Sequence, residues 1–456
     1  GYGHTGWTGT SLWIDPFSQT FVLFLSNRNH PTEAGNVTAL RRAIGTLAAE
    51  SVRGFNFLHV PGALPWQPGG ASSGTTSRVP RAEVLTGIDV LVREKFASLR
   101  GMKIGLVTNH TGIDRERRTT IDLLHAAPGV KLVALFSPEH GIRGALDEKV
   151  ADSRDERTGL PIHSLYGATR APTKEQLAGL DALVFDIQDI GCRFYTYIST
   201  LGECLTAAAH AGKKFIVLDR PNPVTGARVE GPMLAAERSF TAWHELPVRH
   251  GMTAGELAKM FAAERAPSVD LTVIACEGWT RELWFDETGL PWVDPSPNMR
   301  NLTAATLYPG VGLIEFCNVS VGRGTDRPFE LLGAPYIDDR ALAAALNAAE
   351  LSGLRAIPAR FIPRASVFAG QECGGVQLLV TDRDAFSPLD LGVVLATTLQ
   401  RLYPEQVKIE RLAKLLAHPA SLAAVRAGEP LAEVKARWAA EREQFRARRT
   451  PYLIYR

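Results

Sequence analysis

Acidic side chains occur where apolar segments of the sequence end. The segment KLVALFSPEHG contains Glu139, and ALVFDIQDIG contains Asp186 and Asp189. Cleavage of a glycosidic bond needs a proton donor and usually a second carboxylate, because its transition state resembles an oxocarbenium ion. These residue types favour acid–base chemistry on a sugar. The candidate carboxylates are Glu139, Asp186, Asp189 and Asp219, with Glu230 and Glu315 as more distant candidates.

Further polar and aromatic side chains near the same segment ends are candidates for ligand binding. Tyrosine rings can stack on a sugar, and a guanidinium binds carboxylates in bidentate fashion. The alternative is that the Asp and Asn residues cap the helices that follow them. The predicted binding residues are Asn109, His140, Arg143, Gln188, Arg193, Tyr195, Tyr197, Asp219, Arg220, Asn222, Glu315, Asn318 and Arg323.

Strands and helices alternate in the region that carries most of these residues. Apolar runs that begin near 103, 131, 182 and 214 are strand candidates, and YTYISTLGECLTAAAHAG has helical character. Continuous apolar strands separated by helices indicate a parallel sheet that is covered on both faces. We predict an α/β fold with a doubly wound, Rossmann-like catalytic domain over 84–235. Ligands of such sheets bind beyond the carboxyl ends of the strands.

The sequence after residue 235 predicts a smaller C-terminal α/β domain over 236–456 that completes the cleft. Thr253 and Glu256 form a capping box in front of the helix ELAKMFAAE. LTVIAC, GLIEFCNVSV and GGVQLLVTD are predicted strands, as is the terminal YLIY. LGVVLATTLQRLY and VKARWAAEREQF are predicted helices. The segment 296–335 has no clear period, and such long irregular segments are often functional, although a crossover loop is the alternative.

The first 83 residues differ from the rest in composition. TSLWIDP and TFVLFLSNR predict a hairpin, and a helix is expected near 36–51. Residues 61–83 are rich in Pro, Gly, Ser and Thr, which is typical of a linker.

Bulk composition excludes several classes of function. The 456-residue chain has 45% hydrophobic and 21% charged residues and a net charge of +2, so neither nucleic acid nor a membrane is an expected partner. Its five cysteines form no CxxC pair, and its histidines form no HExxH motif. A GxGxxG pattern at 1–6 follows no strand, which argues against a nicotinamide enzyme. No cofactor and no metal site are predicted.

Five motifs in the region 84–456 resemble one enzyme family. SPEHGIRG, DIQDIGCRFYTYISTL, DRPNP, PSPNMRNL and NVSVGRGTDRPFELLGAPY follow one another as they do in the NamZ-type exo-beta-N-acetylmuramidases. The resemblance implies a Rossmann-like domain, a smaller C-terminal domain and an active site between them. Glu139 matches the glutamate of the family's PEHG motif, its leading catalytic candidate. We therefore predict that Glu139 protonates the glycosidic oxygen and that Asp186 or Asp189 assists as base, as nucleophile or by stabilising positive charge. Phe316 and Cys317 depart from the small residues expected before Asn318.

This resemblance implies an exo-acting glycoside hydrolase that releases N-acetylmuramic acid from the non-reducing end of peptidoglycan fragments. A pocket for that sugar should offer an arginine for the lactyl carboxylate and amide-type donors for the acetamido group. Muramyl sugars are the implied partners, and the implied location is secreted or periplasmic. The alternatives are a non-catalytic muropeptide-binding module and a serine esterase or amidase. Oligomeric state and the stereochemical course stay open.

The start of the chain resembles a different family. His4-Thr5-Gly6, followed by WTGTSLWID, is similar to the C-terminal part of serine beta-lactamase superfamily domains. Those enzymes also need a Ser-x-x-Lys nucleophile motif, which occurs nowhere in this sequence. Residues 1–60 are therefore expected to be the inert tail of a truncated hydrolase domain, whose upstream part would have carried the export signal.

Overall fold

The computed structural model describes residues 2–5, 10–15, 20–26, 37–51, 83–139, 141–142, 153–167 and 169–456, which fall into two compact units, 1–78 and 79–456. The first unit contains strands β1 (Tyr2–Thr5), β2 (Ser11–Asp15) and β3 (Thr20–Phe24) and helix α1 (Thr38–Ser51). The strands form an antiparallel sheet in the order β1-β2-β3, so the predicted hairpin and helix are confirmed. Residues 61–82 of the predicted linker lie outside the described residues.

The second unit is built on a seven-stranded sheet in the order β12-β9-β8-β4-β5-β7-β6. Its pairs are parallel except for β6 with β7. The sheet's strands are β4 (Lys103–Thr108), β5 (Lys131–Ser137), β6 (Ser153–Arg154), β7 (Pro161–Ser164), β8 (Ala182–Asp186), β9 (Lys214–Leu218) and β12 (Asp270–Ile274). The four predicted strands and the mixed α/β class are confirmed. β12 follows residue 235, where the sequence predicted a domain boundary, yet it extends this sheet.

Helices cover both faces of the large sheet. They are α2 (Gly87–Arg93), α3 (Thr120–His125), α4 (Lys174–Ala178), α5 (Tyr197–His210) and α6 (Ala254–Arg265). Successive strand residues point to opposite faces. Val107 and Phe185 therefore pack with α5 and α6 in one core, whereas Leu106 and Val184 pack with α2 and α3 in another. This double burial explains why the strands read as continuous apolar runs.

The remaining elements form two small antiparallel sheets and a group of helices. Strands β10 (Glu230–Met233) and β11 (Pro247–Arg249) pair with each other, and β13, β15 and β14 form a sheet in that order. The elements after β12 are α7 (Leu302–Val311), β13 (Leu331–Ala334), α8 (Asp339–Ala348), β14 (Leu354–Phe361), β15 (Cys373–Val380), α9 (Pro388–Leu402), α10 (Ala413–Leu416), α11 (Pro419–Arg426), α12 (Leu431–Ala436) and α13 (Ala439–Arg449). Helices α7 and α9 cross so closely that a Cβ on Gly310 would lie 1.9 Å from the Pro388 carbonyl oxygen.

Several local predictions for this part of the chain are wrong. GLIEFCNVSV is not a strand, since it continues α7 through a 3₁₀ turn at Gly312–Ile314. The segment 296–335, predicted to be irregular, contains α7 with Pro309 inside it. VKARWAAEREQF is divided between α12 and α13, and YLIY follows a 3₁₀ turn at Thr450–Tyr452 without forming a strand. The capping box of Thr253 and Glu256 is present.

The remaining features of the fold concern the bonding state of the cysteines and whether a helix could span a membrane. All five cysteines are buried and free of disulfide bonds. Within the described ranges, no helix has the length and apolar character needed to cross a membrane.

Candidate active site

The carboxyl edge of the large sheet contains a topological switch point. β4 lies in the middle, and the chain continues from it to β5 on one side but later returns to β8 on the other. The segments that leave β4 and β8 therefore diverge and open a crevice between them, where ligands of such sheets bind. This edge was predicted from the sequence to carry the site.

Glu139 lies two residues beyond the end of β5 at this edge, and its carboxylate has a fixed partner. The Thr196 hydroxyl donates a hydrogen bond of 2.8 Å to Glu139 Oε2. Thr196 is the N-cap residue of α5, but its side chain makes no capping bond to the helix. The hydroxyl that would ordinarily bind a free backbone N–H is instead directed at the carboxylate. The start of α5 therefore orients Glu139.

An open cleft of about 820 Å³, part of which is bulk solvent, lies beside Glu139. Its wall combines carboxylates, one arginine and several aromatic rings from segments that are far apart in sequence. The lining residues are Glu139, Phe194, Tyr195, Thr196, Tyr197, Thr241, Ser296, Met299, Tyr308, Glu315, Phe316, Arg323, Phe329 and Leu415. Two of these residues, Glu139 and Glu315, are carboxylates.

Tyr195 and Tyr197 line the buried part of the cleft, with ring centroids 5.1 Å apart in an edge-to-face arrangement. Tyr197 donates a hydrogen bond of 2.6 Å to the Pro295 carbonyl oxygen. The Tyr195 hydroxyl lies near Ser296 but makes no hydrogen bond of normal geometry within the described residues. Burial raises the pKa of both phenols, so each is a neutral hydrogen-bond donor at any ordinary pH. Tyr195 can therefore donate to a ligand.

Glu315 and Arg323 also line the cleft and form an ion pair, with 2.5 Å between Arg323 Nε and Glu315 Oε1. The guanidinium carbon also lies 5.2 Å from the centre of the Phe329 ring. The loop that carries Arg323 depends on glycine, because Gly324 has a φ of +78° and a Cβ there would lie 2.3 Å from the Ala365 nitrogen. The cleft thus holds one paired cation close to its carboxylates.

Asp186 and Arg220 lie apart from this cleft. Asp186 is fully buried, receives 2.5 Å bonds from Arg220 Nε and the Thr120 hydroxyl, and pairs with Arg220 as an ion pair. Arg220 instead lines a smaller cavity of about 380 Å³ with Thr111 and Gln188. The structure therefore brings Gln188 and Arg220 together, away from Glu139, and gives Asp186 a buried structural partner.

Asp189, Asp219 and Asn222 also bind the protein itself. Asp189 accepts a hydrogen bond of 2.7 Å from the Gly191 amide, and burial raises its pKa to about 7. Asp219 accepts bonds from Tyr455, Thr253 and Gly255, and burial raises its pKa to about 6. Asn222 bridges the Val224 amide and the Met252 carbonyl. None of the three lines the cleft as the described residues define it.

Arg193, Asn109 and Asn318 have structural contacts as well. Arg193 is buried and donates to the carbonyl oxygens of Pro232, Leu246, Leu415 and Leu416, so its guanidinium is directed away from the cleft. Asn109 accepts from the amide and hydroxyl of Thr111 and lies beside Tyr197. Asn318 donates to the Gln406 carbonyl oxygen. Two further predicted residues, His140 and Arg143, lie outside the described residues.

Some cleft residues were not predicted from the sequence. Thr196, Thr241, Met299, Tyr308 and Leu415 carry no acidic or basic group, and only their position in the folded chain brings them to Glu139. Thr196 follows Tyr195 directly and could have been recognised as the cap of the next helix. Within the described ranges, no group of three His, Cys, Asp or Glu side chains could hold a metal ion.

Comparison with known proteins supplies an independent finding. Residues 104–303 match the family model described as exo-beta-N-acetylmuramidase NamZ, N-terminal, and 306–455 match its C-terminal counterpart. The chain is 42% identical over 390 residues to the peptidoglycan beta-N-acetylmuramidase NamZ of Bacillus subtilis strain 168, which covers 84% of this chain and 94% of that protein.

Two solved structures from Bacteroides fragilis, both described as DUF1343 family proteins, are also similar. One has a TM-score of 0.77 at 37% identity and covers 83% of this chain and 100% of its own. The other has a TM-score of 0.66 at 30% identity and covers 82% of this chain and 99% of its own.

Proposed function

The chain belongs to the family of exo-beta-N-acetylmuramidase NamZ, and we propose that it uses Glu139 as the general acid that releases N-acetylmuramic acid from the non-reducing end of peptidoglycan fragments. As a member of this family it is a glycoside hydrolase. The observation that carries the assignment of Glu139 is its place in a wide cleft beyond the carboxyl ends of β5 and β8, with one oxygen held by Thr196.

Glu139 is suited to protonate the glycosidic oxygen. Thr196 donates to Oε2, which leaves Oε1 to carry the transferable proton toward the substrate. A carboxyl group held in one orientation loses little freedom when it reaches the transition state. In the proposed reaction the proton of Glu139 passes to the leaving oxygen as the bond to the anomeric carbon breaks. Water then supplies the new hydroxyl group on the released sugar, and its remaining proton passes to a carboxylate of the cleft, so that the acid form of Glu139 is restored by the end of the cycle.

Glu315 is our candidate for the second carboxylate, in addition to the predictions for Asp186 and Asp189. It shares the cleft with Glu139, whereas both aspartates bind other parts of the protein. Arg323 keeps Glu315 in place through the bond at Nε. A negative charge at this position would stabilise the positive charge that develops on the sugar ring.

Arg323 is our candidate for recognition of the lactyl carboxylate. A guanidinium binds carboxylates through paired N–H donors, and Arg323 presents one in the cleft wall next to Glu315. Arg193, an alternative from the sequence, already serves four carbonyl oxygens. Tyr195 can donate to a hydroxyl or the acetamido oxygen of the same sugar. The cleft would then bind the lactyl substituent that distinguishes N-acetylmuramic acid from N-acetylglucosamine.

The test of Glu139 uses two substrates that differ in their need for an acid. Glu139→Gln should lower the release of N-acetylmuramic acid from the muramyl-glucosamine disaccharide by roughly 10²–10⁴-fold, the usual contribution of a general acid. It should impair hydrolysis of N-acetylmuramyl β-fluoride much less, because fluoride leaves without protonation. Glu372→Gln, an exposed carboxylate beside β15, is the matched control. Full activity of Glu139→Gln on the disaccharide would exclude Glu139 as the acid.

Finer points of fold and location belong to the same proposal. We interpret the large sheet and its helices as a Rossmann-like doubly wound domain, and residues 1–60 as a tail related to serine beta-lactamases. The expected place of action is the periplasm or the exterior of the cell, because peptidoglycan is there. Fractionation of cells that express the complete gene, followed by immunodetection, tests this expectation.

A further inference from the structure

Phe316 differs from the rest of the cleft wall. Among the described residues that line the cleft it is the one exposed side chain, with 38% of its surface accessible. Tyr195 and Tyr197, at 8% and 2%, lie at the buried end. A gradient from buried to exposed aromatic rings defines a closed and an open end. An exo-acting enzyme needs this polarity, since the terminal sugar must fill a closed end while the rest of the substrate leaves through the open one.

The backbone around Phe316 is fixed by its neighbours. Glu315 is held by Arg323, and Cys317 is fully buried with its amide bonded to the Ile314 carbonyl oxygen at 2.8 Å. Lys408 donates its amide to the Cys317 carbonyl oxygen as well. The exposed ring therefore extends from a well-anchored segment and does not depend on a mobile loop for its position.

A lysine orients the ring. The Lys414 ammonium lies 4.6 Å from the centre of the Phe316 ring, at the start of α10. The next residue, Leu415, lines the cleft, and Arg193 binds its carbonyl oxygen at 2.9 Å. Lysine over one face of the ring is a cation–π contact that restricts the ring while the remaining surface stays exposed.

From these contacts we infer that Phe316 forms the aglycone subsite, where its ring packs against the apolar face of the N-acetylglucosamine that follows the cleaved bond. This inference rests on the proposed function. A pyranose presents axial C–H groups on one face, and an aromatic ring is the side chain that buries such a face without unpaired polar atoms. Lys414 lies over the ring at 4.6 Å, and the 38% of the Phe316 surface that stays accessible is available to the sugar beside Glu315.

The test separates sugar leaving groups from a leaving group without a ring. For Phe316→Ala we expect kcat/KM on the muramyl-glucosamine disaccharide to fall about tenfold, in keeping with loss of one apolar contact face. Hydrolysis of N-acetylmuramyl β-fluoride should change less than about twofold, since that substrate does not occupy the subsite. Phe316→Trp, which keeps an aromatic face, should retain activity on both substrates.

Ile362→Ala is the matched control, because Ile362 is an exposed apolar side chain outside the cleft wall. Equal losses of Phe316→Ala on both substrates, or no loss on either, would overturn the inference. Failure of the unaltered protein to hydrolyse either substrate would instead overturn the proposed function, and the subsite with it.

Discussion

The hydrogen bond from Thr196 to Glu139 allows a prediction that separates catalysis from stability. Thr196→Val removes the hydroxyl and keeps the side-chain shape. A hydrogen bond to a charged group is worth about 1.5–3 kcal/mol, and Glu139 becomes charged as it gives up its proton, so kcat/KM on the muramyl-glucosamine disaccharide should fall by roughly 10–150-fold. Thr196→Ser, which restores the donor, should recover most of the activity.

The free energy of unfolding should respond differently. An N-cap threonine usually contributes about 1 kcal/mol, but Thr196 makes no capping bond, so its replacement should cost less than about 0.5 kcal/mol. Thr119 is the matched control, because its side chain accepts a bond from the Asp122 amide at the start of α3. Thr119→Val should lose about 1 kcal/mol and keep its activity.

The assay pairs the release of free N-acetylmuramic acid with urea-induced unfolding of each variant. If Thr196→Val keeps its kcat/KM and loses as much stability as Thr119→Val, Thr196 does not orient Glu139 for catalysis. That pattern would mean that Thr196 caps α5 and does not position the carboxyl group.

Three further predictions concern Arg323 and the buried aspartates. Arg323→Gln should lower kcat/KM on a muramyl glycoside by roughly 10–100-fold, in line with the loss of one charge-assisted contact. Any slow turnover of the matching N-acetylglucosaminide should stay unchanged. An equal loss on the two glycosides, measured in parallel, would contradict this role of Arg323. Asp186→Asn should lower the free energy of unfolding by about 3–5 kcal/mol, because it leaves the charge of Arg220 buried without its partner. An unchanged free energy of unfolding in a denaturant titration would contradict this expectation. Burial raises the pKa of Asp189 from an ordinary value of 3.8 to about 7 in the folded state. Between about pH 4 and pH 7 the folded state therefore holds a proton on this carboxyl that the unfolded state has lost. The free energy of unfolding that Asp189 contributes should fall as the pH rises through this range. Asp189→Asn removes that titration, so its stability relative to the unaltered protein should increase from pH 4 to pH 7, and a constant difference across urea titrations in this range would count against the shift.

The sequence predicted the large sheet well because its strands are buried on both faces. The interior positions of two strands, Lys103–Thr108 and Ala182–Asp186, are almost all apolar. A segment of that kind has few alternatives to a central parallel strand. The prediction was poorer around Gly312–Ile314. There an apolar run packs in a helical turn after α7, and the close crossing of α7 and α9 at Gly310 decides its conformation. Contacts between distant segments determine such turns, so local pattern does not reveal them.

The candidate site was predictable in its place but not in its full membership. Glu139 and the two tyrosines follow strands of the sheet, and motif resemblance pointed to the same residues. Leu415 and Tyr308 reach the cleft from segments that lie more than a hundred residues further along the chain. Neither carries a charge that would mark it in the sequence. Arg193 is a contrasting case: its position next to two tyrosines predicted ligand binding, and in the structure its guanidinium donates to four carbonyl oxygens.

The distance of a residue from its strand end explains which predicted carboxylates reach a cavity. Asp186 is the last residue of β8 and Asp219 the first residue after β9, and both remain within the sheet layer, where they bind neighbouring side chains. Glu139 stands two residues past β5 and projects beyond the edge.

Asp189 stands three residues past β8 but turns back, because its carboxylate accepts the amide of Gly191, which has a φ of +78°. A carboxylate at or directly after a strand end is therefore better interpreted as a structural ligand of the backbone. One that lies farther out is the stronger catalytic candidate, provided that no glycine turn returns it to the protein. By this criterion Glu139 would rank above the three aspartates from the sequence alone.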